Sequence, residues 1–156
     1  MATKKMAIIA TKGALDMAYP PLILASTAAA LGWEVQIFFT FYGLQLLRKD
    51  LSGIASSPLA NPAMPMPVPM PVIVSVLPGM QAMATSMMKA KMKKKGVASL
   101  TELRDLCQEA EVKFIACQMT VDLFEFAKSD FIDGIEYGGA ATFMKFAGET
   151  DVCLFI

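Results

Sequence analysis

The sequence has no histidine, one tryptophan and only three cysteines in 156 residues, and no two of those cysteines form a CxxC pair. Without imidazole there is no Ser–His or Cys–His catalytic pair, and a zinc site would have to be assembled from three scattered thiols. The cysteines, Cys107, Cys117 and Cys153, are odd in number. No charged segment leading into a long apolar one opens the sequence, so the expectation is a cytoplasmic protein without a disulfide framework. Neither charge is in surplus: 14 Lys and Arg balance 14 Asp and Glu, which excludes a global basic field for nucleic acid. Long hydrophobic runs are missing as well. Leu22 to Leu31 and Val68 to Leu77 are too short or too broken by proline to cross a bilayer core of about 30 Å, which takes about 20 apolar residues. There is no flavin or nucleotide fingerprint, so no cofactor and no metal is expected.

What is present supports a packed core, with 55% hydrophobic and 18% charged residues. Residues 6 to 10 (MAIIA), 35 to 40 (VQIFFT), 111 to 117 (EVKFIAC) and 152 to 156 (VCLFI) read as strands, with a short further one over 134 to 137. Their near-continuous hydrophobicity suits strands buried on both faces, and helical segments alternate with them. The first helix ends at Gly32, and Pro20 and Pro21 place its continuous part from Tyr19 to Leu22 onward. Residues 43 to 49 read as a short second helix. The expected fold is α/β, a three-layer α/β/α arrangement around a mostly parallel, doubly wound, flavodoxin-like sheet of about five strands.

Residues 52–95 stand apart as a Met/Pro-rich insertion. Seven prolines between positions 58 and 78 exclude a regular helix or central strand and suggest an extended loop. Met80, Met83, Ala84, Met87, Met88 and Met92 then recur at helical spacing, and Lys93-Lys94-Lys95-Gly96 closes that helix. The stripe is packing or subunit-interface surface, or a set of soft thioether ligands. The lysines at its end are a solvated helix terminus, with contact to a membrane or an acidic partner as the less favoured reading. Ser99-Leu100-Thr101-Glu102 is a capping box, and Leu100, Leu103, Leu106, Cys107 and Ala110 form the inward face of the helix it starts.

Cys117 is the residue that asks for chemistry. It ends a strand of a parallel sheet, where ligands of such sheets collect, and a helix begins directly after it. Thr120 can cap that helix and Asp122 lies in its first turn, so the thiol sits near a positive helix end that favours a thiolate. The alternative is a buried cysteine acting as a small hydrophobe. On the same burial grounds Cys107 and Cys153 read as core. Lys12-Gly13 and Gly138-Gly139 precede helices and offer backbone N–H groups to an anion, without matching a phosphate motif.

The segments TKGALDMAYPPLILASTAAALG, FFTFYGLQLL, LPGMQAMATSMM, ACQMTVDLF and IDGIEYGGAATF together resemble the DsrE/DsrF/DsrH-like sulfur-relay family, in the branch with a Met/Pro-rich insertion. The resemblance spans 1–156 as one domain. It implies a three-layer fold and a cytoplasmic sulfurtransferase or sulfur carrier that holds sulfane sulfur as a cysteine persulfide. It also implies partners of the TusA-like carrier and rhodanese-type sulfurtransferase kinds, and a homo-oligomer. Cys117 matches the expected sulfur carrier and Cys107 a second cysteine of the motif. Glu111 stands where glycine is expected, which bears on the turn before the strand. Two other readings stay open: a thiol–disulfide redox protein, peroxiredoxin-like, using Cys107 and Cys117, and a docking module working through the insertion.

Overall fold

The computed structural model describes residues 2–63 and 65–156. Five strands, β1 (Lys5–Ala10), β2 (Glu34–Phe39), β3 (Lys113–Cys117), β4 (Glu136–Gly138) and β5 (Val152–Phe155), form one sheet in the order β4-β3-β2-β1-β5. Every neighbouring pair is parallel. Such a sheet needs crossovers, and these carry the helices to both faces. α1 (Leu15–Ala30) and α4 (Leu100–Glu109) pack together over one face, against Ile8, Ile37, Phe39 and Phe114. α6 (Ala140–Ala147) lies on the other, where Phe143 joins Ala7, Phe38, Ile115 and Cys117. Phe143 stacks on Phe38 at 5.0 Å between ring centres, so one short helix seals that face around a single aromatic pair.

α1 starts earlier than its prolines suggest. It runs continuously from Leu15 through Pro20 and Pro21, which forfeits two backbone hydrogen bonds in its second turn. Burial of Leu15, Ala18, Tyr19, Pro21, Leu22, Ala25 and Ala28 offsets that loss, so tertiary packing overrides the local preference. After β2 the chain tightens into a 3-10 turn, Phe41–Leu47, in place of the expected α-helix. β3 begins at Lys113 rather than Glu111, and β4 is shifted to Glu136–Gly138.

The insertion is not wholly extended. One helical turn, α2 (Val72–Ser75), interrupts it before α3 (Met80–Lys94), and Gly96 ends α3 with φ 72°. Its docking on the body is polar. The Asp16 carboxylate on α1 accepts from the Ser57 N–H and hydroxyl, both at 2.7 Å, and within the insertion the Thr85 hydroxyl on α3 accepts from the Ser56 N–H at 3.0 Å. The methionine stripe divides: Met88 and Met92 pack on the core, whereas Met83 and Met87 are exposed. The capping box at Ser99 and Glu102 is formed as read, but on α4 Leu106 and Ala110 face solvent and Arg104 is buried in their place. Arg104 donates from one guanidinium nitrogen to the carbonyls of Leu46 and Arg48, tying α4 to the end of the 3-10 turn.

Glu111 has φ 62°, a left-handed conformation that costs a residue with a Cβ about 1–2 kcal/mol. Glycine there would be unstrained but looser in the unfolded chain. Glu111→Gly is therefore expected to stabilise the protein by about 0.5–1 kcal/mol, read as an upward shift of the urea midpoint at unchanged slope. A lower midpoint would show that the Glu111 side chain contributes more than its backbone costs.

Candidate functional site

Alternation along β3 sends Phe114 and Ala116 to the α1/α4 side and Ile115 and Cys117 to the α6 side. Cys117 is the last strand residue and also the N-cap of α5 (Gln118–Leu123), with φ −66° and ψ 109°. Thr120, expected to cap that helix, makes no cap, and Asp122, expected in its first turn, lies beyond it and accepts from the Gln118 side-chain amide at 2.7 Å. The topological reversal of the sheet lies between β1 and β5, so Cys117 shares the carboxyl edge of the sheet but not its switch point.

The parallel register explains what surrounds the thiol. Phe39 is opposite Ala116, so the next residue, Thr40, stands beside Cys117 on the same side of the sheet. On the other flank Gly138 is the register partner of Cys117, and Gly139 is the N-cap of α6. The Thr40 and Thr120 hydroxyl oxygens are 3.2 Å apart, and the Phe41 N–H donates to Thr120 Oγ1 at 3.2 Å. Cys117 is 5% exposed. Burial alone would raise its pKa. The polar groups beside the thiol, the Thr120 hydroxyl and N–H, the Thr40 hydroxyl and the Met119 N–H, favour the thiolate enough to outweigh burial and hold the thiol below its ordinary value. Sequence reasoning found Thr120 for the wrong role and missed Thr40. The signal was the parity of VQIFFT, which becomes informative only once the β2/β3 register is known.

Around the cysteine the surface is apolar and aromatic. Phe41, Tyr42, Met119, Leu123 and Phe124 are exposed. Phe124 stacks with Tyr42 at 6.0 Å and meets Phe41 edge-on at 6.4 Å, and the ladder continues through Phe126 and Phe131 to Tyr137. A cleft of about 660 Å³ opens elsewhere, between α1, α3 and α4, and no cysteine lines it.

The other two cysteines are not brought to this place. Cys107 is 0% exposed on α4, on the opposite side of the sheet, where its S–H donates to the Leu22 carbonyl at 3.3 Å. Burial pushes that thiol up to about 12, with a smaller opposing contribution from the Ser26 backbone. The sheet separates Cys107 from Cys117, so the two do not share a crevice. Cys153, read as core, is exposed: β5 is an edge strand and α6 does not reach over it. Among the described residues no three Cys, Asp or Glu side chains gather as metal ligands, and no helix is long and apolar enough to cross a membrane.

The class defined here is a three-layer parallel α/β domain with a buried cysteine at the carboxyl end of one inner strand. The chain belongs to the DsrE/DsrF/DrsH-like family, whose pattern matches residues 2–155. It is 68% identical over 160 residues to the Sulfur carrier protein DsrE2 of Allochromatium vinosum, covering 100% of both chains. It is 35% identical over 159 residues to the Uncharacterized protein YrkE of Bacillus subtilis, covering 99% of this chain and 98% of that one. The crystal structure of the ychN protein from E. coli matches with a TM-score of 0.55 over 99% of this chain and 100% of that one, at 12% identity, a likeness of fold.

Proposed function

We propose that this protein is a sulfur carrier that holds sulfane sulfur as a persulfide on Cys117 and passes it between partner thiols. The observation that carries the reading is the place of the Cys117 thiol, at the carboxyl edge of the sheet beside Thr40 and Thr120, whose polar groups hold it below its ordinary pKa against the effect of burial. The full-length identity to a protein named a sulfur carrier supports it. In the step itself the Cys117 thiolate attacks the outer sulfur of a donor R–S–SH. A new Sγ–S bond forms, the donor S–S bond breaks, and the donor leaves as R–S⁻. Cys117–S–SH then loses its proton to solvent. Delivery is the same exchange with an acceptor thiolate, so no oxidant, reductant or metal takes part and no histidine base is required.

A sulfur atom arriving on another protein needs no enclosed cavity. It needs a surface on which that protein can sit, and the collar of Phe41, Tyr42, Met119, Leu123 and Phe124 is our choice for docking TusA-like carriers and rhodanese-type donors. We place the protein in the cytoplasm as a homo-oligomer, with 1–156 as one domain. Cys107 serves packing in this reading. A second reading keeps one specific observation: Val72, Ile73, Val76 and Leu77 of the insertion are all exposed, as a docking module would require. Deleting Pro58 to Pro78 would remove partner binding and leave sulfur loading intact if that module is the working part.

The deciding experiment is to load reduced protein from a persulfide donor and weigh it intact. An increment of about 32 Da is expected in wild type, Cys107→Ser and Cys153→Ser, and its complete loss in Cys117→Ser. An increment that survives Cys117→Ser would remove the site from the proposal.

A further inference from the structure

We infer that Thr40 and Thr120 are a positioning pair that keeps a hydroxyl proton on the sulfur of Cys117 both when the cysteine is empty and when it carries a second sulfur. The inference rests on the carrier reading and adds two residues to it. Thr120 is 0% exposed, so its hydroxyl has no water to turn to. Its oxygen already accepts from the Phe41 N–H, which leaves its proton to be given to Thr40 or to Cys117. In one arrangement the Thr40 proton goes to Thr120 and the Thr120 proton to sulfur. In the other the Thr120 proton goes to Thr40 and the Thr40 proton to sulfur. Each arrangement delivers a donor to the anion, from two oxygens 3.2 Å apart.

Loading moves the charge. In the empty protein it sits on Sγ; in the persulfide Sγ becomes a neutral bridging sulfur and the charge lies on the outer atom, about 2 Å farther along the new bond. Two hydroxyls that exchange duty by rotating about their C–O bonds span such a displacement without movement of the backbone. Thr120, fully enclosed, is the donor for Sγ, and Thr40, half-buried and so closer to solvent, is the donor for the outer sulfur. The apolar wall of Phe38, Ile115 and Phe143 strengthens either bond by keeping the local dielectric low.

The backbone that aims this pair is strained, which is a second and independent sign of it. Phe41 has φ 48°, an outlier for an aromatic residue. The same residue donates its N–H to Thr120 Oγ1. Strain of this kind persists where the surroundings enforce it and collects at working sites.

The test uses the full chain with Thr120→Val, Thr40→Val and the corresponding serine variants. The first readout is the pH midpoint for iodoacetamide alkylation of Cys117, followed on its own peptide by mass spectrometry, and needs no sulfur donor. Thr120→Val is expected to raise that midpoint by about one pH unit or more, and Thr120→Ser to restore it. Thr40→Val is expected to move it less, but to speed the loss of loaded sulfur to a small thiol about tenfold, with Thr40→Ser again restoring wild-type behaviour. An unmoved midpoint in Thr120→Val, or a shift that serine does not reverse, overturns the inference whether or not the wild type loads sulfur. A Thr40→Val persulfide as long-lived as wild type overturns the assignment of the outer sulfur. Wild type that alkylates as expected yet never gains sulfur overturns the carrier reading instead, and with it the loaded half of the pair's role.

Discussion

Gly43→Ala is expected to destabilise the protein by about 3 kcal/mol and to lower its melting temperature by about 6–12 °C. A Cβ built on Gly43 falls 2.1 Å from the Ala10 carbonyl oxygen and 2.8 Å from its carbon. Both atoms are backbone, so no side chain can swing aside. Either the end of β1 or the 3-10 turn has to move. The same Ala10 carbonyl accepts from the Thr40 N–H at 3.1 Å, and the Gly43 N–H donates to the Thr40 carbonyl at 3.0 Å. Displacing the turn therefore also displaces Thr40 and Phe41, the residues that supply donors around Cys117. The folded fraction of Gly43→Ala should show a higher alkylation midpoint for Cys117 than wild type. Gly53→Ala is the control, since nothing lies within 4 Å of its Cβ and its φ is not positive; there the expected change is neutral or slightly stabilising. Chemical denaturation and alkylation of both variants check the pair. A melting temperature for Gly43→Ala within 2 °C of wild type would mean that the close approach of turn and strand does not hold in solution.

This turn also marks where the sequence stops being readable. The strands, the capping box at Ser99, the stop at Gly96 and the position of Cys117 at a strand end are local signals, carried by hydrophobic runs, one hydrogen-bonding pair of side chains and one glycine. The unusual residue at Glu111 is readable too, because a left-handed turn before a strand asks for glycine. What escapes is set by contacts far apart in the chain. Thr40 joins Cys117 through the β2/β3 register, between residues separated by 77 positions in the sequence. Cys153 is exposed because β5 sits at the sheet edge, a fact of topology that no run of five apolar residues contains. On α4 a stripe of leucines and a cysteine is compatible with more than one inward face, and the need of the Leu46 and Arg48 carbonyls for a donor selects the one that buries Arg104 instead of Leu106.

Cys107→Ala is expected to flatten the alkaline loss of stability. The enclosed thiol titrates near 12 in the folded protein against 9.0 for the free side chain, because burial penalises the thiolate. The folded state therefore binds this proton more tightly than the unfolded state does. Stability from this source is complete below pH 9 and is lost as the pH rises from there towards 12, up to about 4 kcal/mol across the window and about 2.5 kcal/mol by pH 11. At pH 8 the alanine variant should be the less stable one by about 1–2 kcal/mol, for the sulfur contacts it lacks. By pH 11 the difference should have closed or reversed, since lysines and tyrosines titrate alike in both proteins and cancel. Urea denaturation under reducing conditions at the two pH values reads this directly. Parallel losses in the two proteins would show that Cys107 is not enclosed against α1. A closing difference would show more than burial, because a thiol that stays protonated to pH 11 has almost no thiolate at neutral pH with which to attack a persulfide. One fold would then hold two cysteines ten residues apart in opposite states, the sheet keeping Cys107 neutral on one side and the donors at its edge favouring the anion of Cys117 on the other.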